Sequence, residues 1–243
     1  MKRGVFPLLL FFTLAVKAQF VPTTPTADFG IIDETAGKAP LRIYVVNADS
    51  VARSILKVNP SCGCTAAEFQ KDPVAPGDSA WIDIIYDPYL RPGKIDKLVR
   101  VSPIDGEVLR IPITGVVKAS EETIARLFPA DGDLLHLTET TFLTLRPLTE
   151  LQRSFYADAY NGNDFPVTVE IDNDNDAIEW LVTPNPVPPF QKASIGLYVY
   201  PDKEKDPGVS QYNVTMHTSA TPEETKTSKP IELKILFNNH GTP

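Results

Sequence analysis

The sequence has few of the residues on which most enzymes and metalloproteins depend. Its 243 residues include two cysteines, three histidines and two tryptophans. It contains no Gly-x-Ser-x-Gly elbow of a serine hydrolase, no glycine-rich phosphate loop and no HExxH metalloprotease motif. These three kinds of catalytic site are therefore excluded, and we expect a protein that is not an enzyme and needs no cofactor.

Basic side chains are also scarce. Lys and Arg together number 23 against 31 Asp and Glu, which gives a formal net charge of −8. Nucleic acids and anionic membrane surfaces are bound mainly through clustered Lys and Arg, so an acidic chain is poorly suited to either. We expect no nucleic-acid partner and no direct insertion into a membrane.

Long apolar runs are missing except at the start of the chain. Residues 1–18 combine a basic beginning at Lys2 and Arg3, an apolar run from Val5 to Val16, and a small residue, Ala18, at the end. This pattern is typical of a cleaved signal peptide, and the run is too short to span a bilayer. No cysteine follows the cleavage site, which excludes a lipoprotein anchor there. We expect a periplasmic protein, or one exported to the cell surface.

Apolar and polar residues alternate along most of the remaining chain, and 23 prolines interrupt the pattern. A period of two indicates antiparallel strands with one buried face, so we predict an all-β fold. Ser120–Phe128 is a short exception that we interpret as a linker helix, ended by Pro129. In the strand at Leu109–Val117, Pro112 has no amide hydrogen, so we expect that strand at a sheet edge or with that position turned outward.

The two halves of the chain look like copies of each other. Pro73–Pro88 matches Pro186–Pro201 in its Pro-Val-x-Pro opening, its alternation and its closing proline, and Leu41–Asp49 matches Phe155–Asn163. A shared order of strands and turns predicts two similar β-sandwiches in tandem. The predicted boundaries are a signal peptide at 1–18, a first domain at 19–118, a linker at 119–129 and a second domain at 130–243.

Both cysteines lie in one short stretch, NPSCGCTAAEF. Together with PVAPGDSAWIDIIYDP, RPGKIDKLVRVSP and LRIPITGVV, this stretch resembles an exported bacterial family, common in Bacteroidetes, that is catalogued as domain of unknown function 1573. The resemblance covers about Asp28 to Lys118. It implies immunoglobulin-like sandwiches of the Hydin and major-sperm-protein kind, which are mostly interaction modules. The family has no established catalytic activity, so the resemblance implies none for this chain. The second half lacks the cysteines and resembles a diverged copy.

The loop Cys62, Gly63, Cys64 and Thr65 is the first candidate site. Alternate residues lie about 5.5 to 7 Å apart at Cα, so a disulfide here needs the turn that Gly63 permits. Three interpretations stay open. The pair is a local structural staple, a thiol-redox pair, or a binding site for a soft ion such as Cu(I).

An acidic stretch falls where the cysteine loop falls in the first copy. Asp172, Asp174 and Asp176 have the spacing of the first three ligands of a calcium loop. Ala177 replaces the glycine of such a loop, and Thr183 stands where its last carboxylate belongs. Weak calcium binding is therefore the alternative to a solvated acidic turn.

Two further patterns concern sugars. Ser50 and Ser79 each follow an aspartate and precede an apolar residue, which resembles the sites that Bacteroidetes enzymes O-glycosylate on exported proteins. Carbohydrate binding by the protein itself would need aromatic residues such as Trp81, Tyr89 and Trp180 on one face.

We therefore expect an exported, non-enzymatic interaction module of the bacterial envelope that binds another envelope protein. It would do so through an edge strand or through loops such as Cys62 to Phe69. Membership of an envelope assembly or secretion complex is the finer hypothesis. The alternative from another class is a periplasmic thiol-redox or Cu(I)-handling protein that uses Cys62 and Cys64.

Overall fold

The computed structural model describes residues 19–143, 154–200, 209–220 and 231–238. The predicted signal peptide, residues 1–18, lies outside them. Strands dominate the described chain, so the all-β prediction is confirmed. No helix of the described residues is long and apolar enough to cross a membrane.

The first domain is a sandwich of two four-stranded sheets. Its strands are β1 (Phe20–Pro22), β2 (Ala27–Asp33), β3 (Ala39–Asn47), β4 (Ile55–Pro60), β5 (Thr65–Phe69), β6 (Ser79–Tyr86), β7 (Gly93–Pro103) and β8 (Leu109–Lys118). One sheet has the order β1-β3-β6-β5, and the other has the order β2-β8-β7-β4. All neighbours are antiparallel except β2 and β8. The first sheet corresponds to the A-B-E-D sheet of immunoglobulin-like sandwiches, and β4, β7 and β8 correspond to the C-F-G sheet, to which β2 is added.

The second domain repeats this arrangement. Its strands are β9 (Ala130–Gly132), β10 (Leu135–Leu137), β11 (Thr141–Leu143), β12 (Ser154–Tyr160), β13 (Thr168–Asp172), β14 (Ile178–Thr183), β15 (Lys192–Val199), β16 (Val209–Ser219) and β17 (Ile231–Asn238). The sheets have the orders β14-β15-β12-β10-β9 and β11-β17-β16-β13, and β11 is parallel to β17 as β2 is to β8. The extra strand is β9, which forms a hairpin with β10.

Each domain has its own apolar core between its two sheets. In β6, alternate residues from Ala80 to Tyr86 are buried, and Ile82 and Ile84 have no exposed surface. In β15 of the second domain, Ile195 and Leu197 are buried in the same way. Burying an aliphatic side chain of this size contributes about 1.5 to 3 kcal/mol, so the alternation read from the sequence is the main source of stability.

One of our two expectations placed the strand that contains Pro112 at a sheet edge. That expectation is wrong, because β8 lies between β2 and β7. The sheet tolerates the proline for a local reason. Pairing between β2 and β8 begins with Ala27 opposite Ile113, so Pro112 lies just beyond the end of β2. On that side of β8 it therefore occupies a position without a neighbouring strand.

The linker contains the helix α1 (Glu121–Leu127). Its first turn is capped by the Ser120 side chain, which accepts a hydrogen bond from the Thr123 amide at 3.2 Å. Glu121 and Glu122 lie in this first turn, where negative charge is favourable beside the unpaired amides.

A buried carboxylate ties this helix to the first domain. Glu34, in the short 3-10 turn after β2, accepts hydrogen bonds from the Leu90 amide at 2.7 Å, the Ser120 amide at 2.7 Å and the Thr123 hydroxyl at 2.6 Å. Burial alone would raise the pKa of Glu34, but these bonds from Ser120, Thr123 and Leu90 together outweigh it and hold the pKa below its ordinary value.

A tyrosine connects the linker to the second domain. The Tyr160 hydroxyl oxygen accepts a hydrogen bond from the Ala119 amide at 2.8 Å, and the ring stacks on Phe128 with centroids 5.5 Å apart. Tyr160 and Phe128 are both buried. The connection between the domains is therefore a packed joint, because polar groups from both domains are satisfied within it.

Candidate functional site

The cysteine loop forms the turn by which the chain crosses from one sheet of the first domain to the other. It joins β4 to β5, and it is anchored at both ends. The Ser61 amide donates to the Leu98 carbonyl at 2.8 Å, and the Leu98 amide donates to the Ser61 hydroxyl at 3.0 Å. At the other end the Asp87 amide donates to the Cys64 carbonyl at 2.8 Å.

Cys62 and Cys64 are joined by a disulfide, with their Cα atoms 5.3 Å apart. The Thr65 hydroxyl lies 3.3 Å from the Cys62 sulfur and 3.8 Å from the Cys64 sulfur. Cys64 is only 8 % exposed, and both cysteines pack against the core of the first domain. In this oxidised form the loop offers no thiolate, and its sulfurs act as apolar packing groups beside Thr65.

The corresponding turn of the second domain is closed without sulfur. It joins β13 to β14, and the Asn173 side-chain amide donates to the carbonyls of Asn175 at 3.1 Å and Ile178 at 2.8 Å. The Asn175 side-chain oxygen accepts from the Ala177 amide at 2.8 Å. Asparagine side chains that bond the backbone two residues away are a common device for closing turns.

The two turns occupy the same place in their domains. The Tyr200 amide donates to the Ala177 carbonyl at 2.8 Å, just as the Asp87 amide bonds the Cys64 carbonyl. Ala177 and Cys64 are both buried, and each is followed at once by an edge strand, β14 or β5. Two asparagines thus hold the second-domain turn where a disulfide spans the first.

The three candidate calcium ligands, Asp172, Asp174 and Asp176, are all exposed around this second turn. The Asp172 carboxylate lies 3.1 Å from the His217 ring nitrogen Nε2. Among the described residues, no group of three or more His, Cys, Asp or Glu side chains is arranged to hold a metal ion. The structure therefore does not bring the three aspartates together as a site.

A buried asparagine that the motif search did not single out fixes the loop before β4. Asn47 is fully buried, and its side-chain amide donates to the carbonyls of Val51 and Val74, both at 2.9 Å. Its side-chain oxygen accepts from the Asp49 amide at 3.0 Å. These bonds give partners to the Val51 carbonyl and the Asp49 amide, and they add a second donor to the Val74 carbonyl, which also accepts from the Arg53 amide at 3.0 Å.

The second domain has the same clamp. Asn161 is fully buried, and its side-chain amide donates to the carbonyls of Phe165 at 2.8 Å and Val187 at 2.9 Å. Its oxygen accepts from the Asn163 amide at 2.9 Å. The repeat alignment already paired Asn161 with Asn47, so a signal for this shared role was present in the sequence.

The edge of the first domain beside the cysteine turn is β5, which pairs only with β6 among the described strands. Cys64 bonds Asp87 across this pair, and Gln70 bonds Trp81. Along an antiparallel strand, the backbone amide and carbonyl of successive residues point alternately toward and away from the neighbouring strand. Since those of Cys64 and Gln70 bond the chain of β6, those of Ala67 point away from it. Those of Phe69 point the same way.

The outer face beside this edge carries charge. Arg42 on β3 binds the Asp83 carboxylate on β6 with two hydrogen bonds of 2.6 Å, and its guanidinium lies 5.1 Å from the centre of the Trp81 ring. The bonds from Arg42 lower the pKa of Asp83. Next in the same row is Glu68 on β5, which is exposed and lies opposite Asp83.

The remaining predicted residues are spread over the molecule. Ser50 and Ser79 are both exposed. Tyr89 is exposed and its hydroxyl donates to Glu122 at 3.3 Å, whereas Trp180 packs edge-on against Phe142 with centroids 5.3 Å apart. Trp81, Tyr89 and Trp180 therefore do not share one aromatic face.

Comparison with known protein families gives a match over the first domain. Residues 20–117 match the family model described as protein of unknown function (DUF1573). The family resemblance carried by the cysteine loop is confirmed. The DUF1573 match ends one residue before the end of β8, so the linker and the second domain lie outside it. A search of curated proteins gives no match to this chain.

Solved structures are similar only distantly. A protein of unknown function from Porphyromonas gingivalis W83 is 13 % identical, with a TM-score of 0.37 over 91 % of this chain and 100 % of that one. The CupB2 chaperone of Pseudomonas aeruginosa is 12 % identical, with a TM-score of 0.31 over 83 % of this chain and 100 % of that one. Drosophila N-cadherin is 13 % identical, with a TM-score of 0.28 over 91 % of this chain and 49 % of that one.

Proposed function

We propose that this protein is an exported, non-enzymatic interaction module of the bacterial envelope that binds an extended strand of another envelope protein along β5. The observation that carries the proposal is the free edge beside the cysteine turn. There the backbone groups of Ala67 and Phe69 point away from β6, and no described strand pairs with them. Free amides and carbonyls on a sheet edge are a template for an added strand.

The side chains of this edge favour close approach. Ala66 and Ala67 are small, so a partner backbone can reach hydrogen-bonding distance without steric conflict. The disulfide lies directly before the strand and closes the turn from which it starts. An edge that is already ordered pays less conformational entropy on binding, which favours affinity.

Glu68 gives the edge a preference in charge. Arg42 and Asp83 neutralise each other in the same row, so Glu68 adds a net negative charge at the middle of the strand. A partner strand with Lys or Arg opposite Glu68 would gain a cross-strand ion pair. A second copy of β5 in the symmetric register would instead place Glu68 opposite Glu68, which opposes self-pairing.

The packed joint extends the proposal to larger assemblies. Glu34 and Tyr160 hold the linker against both domains, so the edges of the two sandwiches keep a fixed relation. We propose on this ground that the protein is a connecting subunit of an envelope assembly or secretion complex. Such a role needs two fixed binding surfaces on one chain.

The test uses Ala67, whose amide faces the free side of β5. Ala67→Pro removes this amide while leaving the bonds to β6 in place, whereas Ala67→Ser keeps it. Crosslinking and pull-down from the native envelope should recover the partner with the wild type and Ala67→Ser, but not with folded Ala67→Pro. Equal recovery with all three proteins would refute binding along β5.

A second pair of variants separates this proposal from the thiol-redox and Cu(I) alternatives. Replacing Cys62 and Cys64 with serine removes both sulfurs but leaves the β5 edge. We expect the double variant to recover the partner, with at most a modest loss of affinity. Complete loss of the partner from a folded double variant, together with titratable thiols in the wild type after mild reduction, would favour the thiol alternatives.

A further inference from the structure

The edge strand of the second domain, β14, has properties opposite to those of β5. We propose that two copies of this chain associate by antiparallel pairing of β14 with β14, about a two-fold axis at Leu181. This interaction goes beyond strand capture at β5 and does not depend on it. It rests on the backbone groups, the side chains and the register of β14.

The free backbone groups of β14 are few and well placed. The bond from the Tyr200 amide to the Ala177 carbonyl shows which residues of this strand bond β15. The backbone amides and carbonyls of Trp180 and Val182 therefore point away from β15. The corresponding groups of Ile178 are already used within the turn, because its amide donates to Asn175 and its carbonyl accepts from Asn173. No described strand pairs with this side of β14.

One antiparallel register uses all of these groups. It pairs Trp180 of each copy with Val182 of the other, which makes four new backbone hydrogen bonds. Leu181 then faces Leu181 of the second copy at a site without hydrogen bonds, where Cα atoms lie about 4.5 Å apart and side chains touch. This register maps onto itself under a two-fold rotation, as a symmetric dimer requires.

The side chains agree with this register. Leu181 is 64 % exposed on a strand edge, where an apolar side chain gains by being covered. Glu179 would lie opposite Thr183 of the second copy, so no like charges meet. β14 contains no Lys and no Pro, which commonly protect edge strands from pairing.

The neighbouring strands extend the apolar row. Gly196 on β15 lies opposite both Leu181 and Tyr156, and Tyr156 is 60 % exposed. A Cβ atom at Gly196 would lie 3.2 Å from the Tyr156 ring, so the ring rests on the glycine. In the paired form the row continues from Tyr156 through Leu181 to the same residues of the second copy.

The size of the contact predicts a weak dimer. A single strand pair with one central apolar contact buries less than the roughly 1,600 Å² of a standard interface. We therefore expect a dissociation constant between about 10 μM and 1 mM. Sedimentation equilibrium of the mature wild-type protein across this range should show a concentration-dependent dimer.

Charge substitutions at Leu181 test the axis. Leu181→Glu and Leu181→Lys each place like charges face to face, so each variant alone should be monomeric at 1 mM, whereas an equimolar mixture should associate at least as tightly as the wild type. Wild-type protein that remains monomeric would overturn the proposal and leave the edge to a strand of another protein. Dimerisation of either variant as strong as that of the wild type would also overturn it.

Crosslinking tests the register. The two native cysteines are bridged to each other, so an introduced cysteine is the single free thiol. Leu181→Cys should form a covalent dimer on mild oxidation, because its Cα separation falls in the disulfide range. Thr183→Cys is the matched control and should not crosslink. The double variant Glu179→Cys, Thr183→Cys should crosslink, because the register places position 179 of one copy opposite position 183 of the other. Equal crosslinking of the 181 and 183 single variants would contradict the register.

Discussion

The same turn is closed in two ways in the two domains. In the first domain a disulfide joins Cys62 to Cys64, and in the second the side chains of Asn173 and Asn175 bond the backbone. Both turns lead from one sheet to the edge strand of the other. The strands on either side have the same order in both domains, so this strand order is compatible with either closing element.

The two domains share a buried clamp but differ on the exposed outer face of their edge strands. The clamps of Asn47 and Asn161 share two bonds to carbonyls and one from an amide, and Asn161 also donates to the Pro188 carbonyl at 3.2 Å. At the outer face, however, the charged row that ends in Glu68 is replaced by the apolar row that ends in Leu181. Two similar sandwiches therefore present edges suited to different partners.

The largest expected effect comes from the shared clamp. Asn47→Ala leaves two carbonyls and one amide without their side-chain partner. Asn161→Ala leaves three carbonyls, one backbone amide and the Asn163 side-chain amide without theirs. We expect each substitution to lower the free energy of unfolding of its own domain by roughly 2 to 4 kcal/mol. Similar values in both domains would support the equivalence, and a clear loss in one domain alone would break it.

The two tryptophans allow this measurement for each domain separately. Trp81 lies in the first domain and Trp180 in the second, so fluorescence of the Trp180→Phe protein reports the first domain and that of Trp81→Phe reports the second. Urea unfolding of each clamp variant in these two backgrounds gives the two free energies. The background proteins themselves provide the controls.

The joint should show the next largest effect. Glu34→Gln keeps one acceptor oxygen but turns an amide group toward one of the present donors. We expect the free energy of unfolding to fall by about 1 to 3 kcal/mol at neutral pH. The pKa of Glu34 is lowered in the folded protein, so its carboxylate contributes stability above the pKa of the unfolded chain, and this contribution is lost as pH falls through the folded pKa.

The difference in unfolding free energy between the wild type and Glu34→Gln should therefore become smaller on acidification below about pH 4. Urea unfolding of both proteins from pH 7 to pH 3 measures it. Asp33 and Asp83 also have lowered pKa values, but both remain in the variant, so the difference isolates Glu34. A difference that does not change with pH would contradict a charged, buried Glu34.

Removing the disulfide should have a smaller effect. The bridge between Cys62 and Cys64 closes a loop of only three residues, for which chain entropy predicts a contribution of about 1 to 2 kcal/mol. Asn173→Ala in the second domain should cost a comparable amount, about 1 kcal/mol. Urea unfolding in the tryptophan backgrounds compares the two. Loss of folding without the disulfide would show that the two closures are not interchangeable.

The smallest effect on stability is expected at the exposed edge residues. Glu68→Leu should change the unfolding free energy by less than about 0.5 kcal/mol. Combined with Leu181→Glu, it should move the self-association from the second domain to the first. Sedimentation of this double variant checks the transfer, and disulfide crosslinking of a separate Glu68→Cys, Leu181→Glu variant checks the register. A monomeric double variant would show that Glu68 and Leu181 alone do not determine which edge strand self-associates.

Much of the fold follows from local sequence. Period-two alternation predicted the strands, and the match of Leu41–Asp49 with Phe155–Asn163 placed Asn47 and Asn161 at equivalent positions. The state of Cys62 and Cys64 stayed open, because spacing alone allowed a bridge, a redox pair or an ion site.

Long-range pairing explains what the sequence could not reveal. Glu34 meets Ser120 across 86 residues, and no local pattern marks that contact. Whether Pro112 faces a neighbouring strand depends on where β2 begins, far away in the chain. The roles of Glu68 and Leu181 likewise depend on which strands remain at the edges, and only the sheet order shows this.

Amide hydrogen exchange, resolved by residue in concentrated mature protein, tests most directly the claim that similar domains present different edges. The Val182 amide should exchange slowly and be protected more as concentration rises, whereas the Ala67 amide should exchange rapidly at every concentration in the absence of a partner. Rapid, concentration-independent exchange at Val182, or protection at Ala67 in the isolated protein, would contradict the account.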